Sequence, residues 1–184
     1  MTSFVIDSVP HESLTPNDLA RLRALFDAEY FSEFGVWDPD QPYGYAPHDV
    51  HLIARLGDDV VSHVGWARRT IGVGTAEVVV AGVGGVLISP HARGRRAGAR
   101  LLAHAAASMT DTGGIEFGYL GCREEVVAFY ESRGWHRVSA VEHSIDRAGL
   151  PSTQPPGPPI LTLALDSPPR RWPAGTIDLR GRAW

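Results

Sequence analysis

The sequence has no lysine: every one of its 17 basic residues is an arginine. No lysine nucleophile or Schiff base can therefore take part in any chemistry. It has one cysteine, Cys122, which excludes an internal disulfide framework and fits a reducing, cytoplasmic compartment. No apolar run is long enough to read as a membrane span, and no opening segment joins a charged stretch to an apolar one. Neither a span nor a signal peptide is expected. A basic surplus is also lacking. The net charge of −4 argues against nucleic acid as the main partner and suits a cationic one. A metal site is not expected either: the pair His48-x-x-His51 has no cysteine or carboxylate cluster beside it, and on a strand positions i and i+3 face opposite sides. Either histidine remains a candidate base, because imidazole titrates near neutrality. Cys122 opens a helix, where its pKa would be lowered, but no His–Asx arrangement accompanies it, so it reads as pocket lining or core.

What is present is ordinary for a globular chain. With 184 residues, 43% apolar and 21% charged, the sequence predicts one domain with a sizeable core. A first strand is read near residues 3–7. Thr15-Pro16-Asn17-Asp18 is a helix start, and Leu19, Leu22, Leu25 and Phe26 carry the helix to about Tyr30. Residues 31–48 have no period and read as a long irregular loop. Two antiparallel strands follow over 50–55 and 60–69, joined around Gly57-Asp58, and a third begins near Thr75. Gly113-Gly114 precedes a core strand over 115–120, then a helix over 122–133 with Gly134 as its terminator. Residues 151–159 read as a proline-rich connector, and 160–165 as a last strand. The order βαβββαβαβ predicts an α/β sandwich with a largely antiparallel mixed sheet.

The most informative stretch runs from Val78 to Met109. Val78 to Ile88 is a near-continuous apolar run with three glycines, which reads as a strand buried on both faces and disturbed at Gly84-Gly85. Ser89-Pro90 ends it. Arg93 to Gly98 then runs into an Ala- and Leu-rich helix. Strand, Gly/Arg loop and helix N-terminus together make an anion site, because free N–H groups and the helix dipole both favour negative charge there.

These residues resemble motif A of the GCN5-related N-acetyltransferases, Gln/Arg-x-x-Gly-x-Gly/Ala. Arg93 fills the first place, Gly98 the last, and Arg96 stands where the middle glycine is usual. The resemblance implies the fold of that superfamily, a mixed, mostly antiparallel central sheet flanked by helices. It also implies acetyl-CoA (CoA) as cofactor. Val86, Leu87 and Ile88 would meet its pantetheine arm, and Arg93, Gly94, Arg95, Arg96, Ala97 and Gly98 its pyrophosphate. The run Glu124 to Trp135 resembles a further segment of the same enzymes, whose tyrosine, here Tyr130, is the proposed general acid. Trp172-Pro173-Ala174-Gly175 resembles the C-terminus of aminoglycoside 2'-N-acetyltransferases and of nodulation N-acyltransferases, as does the whole run from Leu14.

Carried across on that resemblance, Glu33 falls where an aspartate binds an amino group of the drug. Gly84 falls where a glutamate is proposed as base through water, so the base is missing at its expected place. Asp38 and Asp40 lie close to Glu33, interleaved with Trp37 and Tyr43; carboxylates attract ammonium groups and aromatic faces stack on sugars. Gly84, Gly85, Gly121 and Cys122 are expected to line the substrate pocket, with Asp178 and the Trp184 carboxylate closing it from a C-terminal strand and tail over 160–184. The implied reaction is acetyl transfer to the 2'-amino group of an aminoglycoside-type antibiotic, conventional or kasugamycin-like, giving resistance. A backbone N–H of the Gly84–Leu87 bulge would hold the oxyanion. Two alternatives stay open: an N-acyltransferase using a longer chain on another aminosugar, and a CoA-binding module without catalysis. A homodimer is allowed; nucleic acid and membrane are not expected as partners.

Overall fold

The computed structural model describes residues 4–93, 96–166 and 169–184. The chain runs β1 (Val5–Pro10), α1 (Pro16–Phe34), β2 (Val50–Leu56), β3 (Asp59–Val73), β4 (Ala76–Ile88), α2 (Ala97–Thr112), β5 (Phe117–Gly121), α3 (Val127–Glu131), β6 (His136–Val138), β7 (Glu142–Ile145), β8 (Pro151–Gln154), β9 (Ile160–Ala164) and β10 (Ile177–Arg182). All ten strands join one sheet in the order β6-β9-β5-β4-β3-β10-β7-β8, with β2 pairing β3 and β1 pairing β2. The expected α/β class with a mixed, mostly antiparallel sheet is what the chain forms: β4–β5 and β10–β7 are its parallel pairs.

Local chemistry accounts for the long elements. The Thr15 hydroxyl accepts from Asp18 N–H at 3.1 Å while the Asp18 carboxylate accepts from Thr15 N–H at 2.9 Å, a reciprocal cap that starts α1. The helix outlasts its expected end at Tyr30 and stops at Gly35, whose φ of 77° a side chain would oppose. Its last turn holds because Tyr30 and Phe34 both pack on Tyr43, at 5.7 and 5.4 Å between ring centroids. The expected helix over 122–133 is shorter, a 3-10 turn at Glu124–Val126 followed by α3. The proline-rich connector contributes β8, an edge strand on which Pro151 takes the first place, where a missing donor costs nothing. The tail contributes β10, which is inserted between β3 and β7.

The sheet separates two cores. On one face α2 buries Leu101, Leu102, Ala105 and Met109 against Trp66, Ala81 and Val83, with Val127 and Tyr130 of α3 beside them. On the other, α1 buries Leu22, Leu25 and Phe26 against Trp37, Ile53 and Leu87, and further along Val78, Val80, Tyr119, Ile177 and Leu179 pack together. The glycine pair in β4 decides which residue serves which face. Gly65 pairs with Gly84 but His63 pairs with Leu87, so β4 carries one extra residue there, with Gly85 at φ 56°. Before this bulge Ala81 and Val83 face α2; after it Val86 and Ile88 do, while Leu87 turns to the α1 core.

Candidate active site

β4 and β5 pair only at Val80↔Phe117, Ala81↔Gly118 and Gly82↔Tyr119. Beyond Gly82 the two strands part, and β5 continues on β9 instead. This leaves a wedge through the sheet that joins the α2 face to the α1 face beside the Gly84-Gly85 bulge. Two different sets of groups meet it.

On the α2 face a cleft of about 300 Å³ lies at the start of α2, lined by Arg93, Arg96 and Arg133 over Ile88, Gly98 and Phe129. Among the described residues no side chain caps the first turn of α2, which leaves its N–H groups as donors for an anion. Three guanidiniums line the cleft beside them; guanidinium forks match phosphate oxygens, so the arrangement could hold a polyphosphate. Arg96 is the N-cap, at φ 58° and ψ 16°. The left-handed backbone explains why a glycine is usual there, and the arginine exchanges about 1–2 kcal/mol of strain for a third cation. Gly98 lines the cleft and also packs closely on β4. A Cβ on it would stand 2.4 Å from Ile88 Cδ1, so its smallness brings α2 onto β4. Gly94 and Arg95, both expected to hold the pyrophosphate, lie outside the described residues. Val86 and Ile88 border this face and Leu87 does not.

Tyr130 adjoins Phe129 of this cleft and is only 6% exposed, edge-on to Phe129 and Trp135 at 5.4 and 5.9 Å. Burial, with the neighbouring Cys122 thiol, pushes its phenol well above the ordinary range; it stays a proton donor at any working pH. Cys122 packs into the same core. Its expected lowered pKa is overturned: burial and then Glu124 raise it, and the α-helix begins five residues later, too far to help. Gly121 ends β5 and is exposed.

The α1 face carries imidazoles. His48, His51 and His63 are buried, at 4%, 0% and 0% exposure. The His63 Nδ1–H group donates to the Gly85 carbonyl at 2.7 Å, His63 Nε2 lies 2.9 Å from His51 Nδ1, His51 Nε2 lies 3.1 Å from His11 Nδ1, and His11 Nε2 lies 3.0 Å from Asp40 Oδ1. His48 stands against His51 and His63 at 5.8 and 5.9 Å between ring centroids, and among the described residues neither of its nitrogens has a partner. It lies under the bulge: a Cβ on Gly84 would stand 3.0 Å from His48 Nε2, and one on Gly65 2.3 Å from His48 Cγ. Burial first, then mutual repulsion, pushes His48 and His51 each down to about 3; the same causes act on His63, against the Gly85 bond that raises it, and leave it at about 3. The strand alternation expected to separate His48 from His51 does not apply, because β2 starts at Val50 and His48 precedes it. Spacing gave no sign of His11 or His63, which reach the cluster from a 3-10 turn and from β3.

The tail covers the rest of this face. The Trp184 ring lies over Gly82, 1.9 Å from where a Cβ would be, with the Arg69 guanidinium 3.9 Å from its centroid and Tyr119 edge-on at 6.2 Å. A Gly84 Cβ would also lie 2.7 Å from the Trp184 carbonyl carbon, so the glutamate of the resemblance has no room here.

The acidic residues scatter. Trp37 is 1% exposed and stacks on Phe26 at 4.8 Å; with both faces covered it packs the loop and offers nothing to a sugar. Asp40 belongs to His11. Asp38 accepts the Asp40 N–H at 3.0 Å and makes the turn. Asp178 lies between Ile177 and Leu179, which fill the α1-side core, so its own side chain points to the opposite face and accepts from Arg180 N–H at 2.9 Å. That overturns its expected place in the pocket wall. Glu33 is exposed on the last turn of α1, one turn after Glu29, whose carboxylate faces Arg93 at 3.8 Å.

The profile of the nodulation protein A (NodA) family matches residues 11–182. Among curated proteins none matches the sequence. Solved structures share the fold. ElaA of Escherichia coli is 20% identical with a TM-score of 0.63, over 88% of this chain and 99% of that one. A GNAT family acetyltransferase of Brucella melitensis in complex with acetyl-CoA is 16% identical with a TM-score of 0.61, over 96% of each. The GNAT family N-acetyltransferase YhbS of Escherichia coli in complex with CoA is 13% identical with a TM-score of 0.65, over 97% of this chain and 91% of that one.

Proposed function

The chain belongs to the nodulation protein A (NodA) family, and from that premise we propose that this acyl-CoA-dependent N-acyltransferase moves the acetyl group of acetyl-CoA to an amino group of an aminosugar. The acceptor class is the aminoglycoside-type antibiotics, conventional or kasugamycin-like, attacked at the 2'-amino group, with resistance as the consequence. The carrying observation is the wedge between β4 and β5, which has an arginine-rimmed anion cleft on one face and a buried polar cluster on the other. A ternary complex needs that arrangement: donor from one side, nucleophile from the other, meeting at the bulge.

Each group has a task. Arg93, Arg96, Arg133 and the α2 N-terminus hold the donor's phosphates, and the apolar surface of Val86 and Ile88 borders its arm. When bound, acetyl-CoA supplies the thioester carbon. A backbone N–H of the bulge stabilises the oxyanion, an effect worth about 2.7–4 kcal/mol per donor in other acyl transfers. Tyr130, kept protonated by burial, protonates the leaving thiolate, and acetylation removes the charge and donors of the drug's amine. A second reading, a longer acyl chain, is favoured by the family match; the Trp184 ring over Gly82 narrows the space beside the wedge and favours acetyl.

The test is thiol release from acetyl-CoA and from longer acyl-CoAs, each with a panel of aminosugars including kasugamycin, with the product weighed by mass spectrometry. Aminosugar-dependent release with gain of one acetyl group is expected. Release without an acceptor only, or none with any aminosugar, would overturn the reading.

A further inference from the structure

We propose that His48 is the base that takes the acceptor amine's proton, and that His63, His51, His11 and Asp40 form a relay holding one stored proton and exchanging it with solvent. The catalytic half of this rests on the acyl-transfer reading above; the stored proton does not. Two observations carry it.

The first is a count. The chain Gly85 O, His63, His51, His11, Asp40 contains four hydrogen bonds and three imidazoles. Its two ends are acceptors only: the Gly85 carbonyl and the Asp40 carboxylate. A bond to each end requires a proton on His63 Nδ1 and on His11 Nε2, and each of the two bonds between rings requires one more. Four protons are needed, and three neutral imidazoles carry three. The fully bonded chain therefore holds one imidazolium, balanced by Asp40. That charge resides on His11, whose side chain is 29% exposed and pairs directly with the carboxylate; burial disfavours it on His51 or His63. The 2.9 and 3.1 Å separations between nitrogens are those of a shared proton. A zinc ion between them would hold each nitrogen about 2.0–2.1 Å away along separate directions and force them further apart.

The second is His48. A buried imidazole with no partner on either nitrogen costs free energy that a purely structural residue would avoid. Its Nε2 lies beside the place the resemblance assigns to the glutamate base. Being neutral, it has a free lone pair. The groups facing it are His51 from β2, His63 from β3, Gly84 and Gly85 from β4, and from the tail Trp184, whose main-chain carboxylate approaches the same Gly84 position as His48 Nε2; Asp40 is the carboxylate bonded into the cluster, while Asp49 is bonded to the Arg68 N–H.

The step balances as follows. The neutral amine's lone pair forms the C–N bond to the thioester carbon while the C=O π pair moves onto oxygen, making an oxyanion and a nitrogen cation far more acidic than the free ammonium ion. His48 Nε2 takes one proton from it. The oxyanion re-forms C=O as the C–S bond breaks, the electron pair leaves on sulfur, and Tyr130 protonates the thiolate. His48 then holds one proton too many and Tyr130 one too few. The relay discharges the first: a turn of the His48 ring or one bridging water passes the proton to His63 Nε2, whose bond to His51 opens to free the lone pair, and His11 releases its own proton to solvent beside the exposed Asp40. Tyr130 recovers its proton from solvent through the donor cleft. His63, His51 and His11 are positioning residues that act through His48.

The test has two arms on the full chain. Imidazole nitrogen NMR of the free protein at pH 7 is expected to show His48 neutral, His63 protonated at Nδ1, and one imidazolium, on His11, that is lost in Asp40→Asn. Finding His11, His51 and His63 all neutral, or His48 charged, would overturn the stored-proton assignment. In the kinetic arm, His48→Gln is expected to lower kcat about 10²–10³-fold, as for loss of a general base, with KM for acetyl-CoA within threefold. His51→Gln is expected to lower kcat about tenfold and to steepen its loss below neutral pH. A folded His48→Gln enzyme with kcat within threefold of the parent would overturn the base assignment. If the parent turns over no aminosugar while the NMR pattern is as expected, the acceptor reading falls and the stored proton stands.

Discussion

The two faces of the sheet place their charge in opposite ways. On the α2 face the ionised groups are arginines at the mouth of a cleft, permanently charged and close to water. On the α1 face the titratable groups are imidazoles sunk in the core, where burial keeps three of them neutral. A phosphate carrier needs fixed cations that cost little to solvate; taking a proton needs a group that is neutral and offers a free lone pair. Under the proposed reading the contrast separates donor binding from proton handling, and Tyr130, buried in the α2-face core beside the cleft's Phe129, acts between them. Changes on either face should therefore affect different observables.

The largest expected effect is at that junction. Tyr130→Phe keeps the ring against Phe129 and Trp135 and deletes only the hydroxyl. We expect kcat to fall about 10²–10³-fold, as for loss of a general acid, with acetyl-CoA affinity within about threefold by calorimetry. If kcat stays within threefold, water protonates the thiolate and Tyr130 belongs to the core alone. A fall in affinity of the same size as the fall in kcat would instead place Tyr130 on the donor face.

Acid should separate the faces next. Burial holds His48, His51 and His63 near about 3, against an ordinary 6.5. Folded values below unfolded ones mean that the unfolded chain binds more protons between these limits. The stabilising contribution is complete above about pH 6.5 and is lost as pH falls towards about 3. Each histidine can contribute a slope of about 1.4 kcal/mol per pH unit; coupling between the rings reduces the sum, so about 1–4 kcal/mol should disappear between pH 6.5 and 5.5. Urea unfolding at the two pH values measures it. His48→Gln should flatten the slope, and Arg133→Gln, on the other face, should not change it. Equal midpoints at both pH values would show that the cluster titrates normally and is open to water.

The difference between the faces also decided what the sequence could reveal. The α2 side is one contiguous run, β4, loop and α2, in which glycines, a proline stop and arginines occur in chain order, so the bulge and the core strands were readable from local pattern. Arg133 escaped because, taken alone, a cation in the last turn of a helix needs no further reason. The acceptor side is assembled from five separate segments that bring His11, Asp40, His48, His51 and His63 together, and no spacing connects them. His48 was read as if strand alternation extended over it, two residues before the strand begins. Trp37 and Asp178 were assigned to the pocket by residue type, and burial and strand parity sent one to the core and the other to the opposite face. The strands β7, β8 and β10 form from stretches of four to six residues with little period of their own; pairing to neighbours fixes them.

The smallest effect is expected at Glu33, and it tests how far the acceptor face extends. The residue is exposed at the end of α1. Were it buried, a charged hydrogen bond to a substrate ammonium would be worth about 1.5–3 kcal/mol. In water such a pair is worth about 0.2–1 kcal/mol, which corresponds to a factor of about 1.4–5 in binding. Glu33→Gln should therefore raise KM for a cationic aminosugar by no more than about fivefold, less at high salt, and leave kcat and KM for acetyl-CoA unchanged. A rise of tenfold or more would mean that the bound acceptor covers this turn of α1 and excludes water from it, so that the site spans the distance from the histidine cluster to the helix end. No rise at any ionic strength would remove Glu33 from recognition and leave the acceptor's amines to be held nearer the bulge.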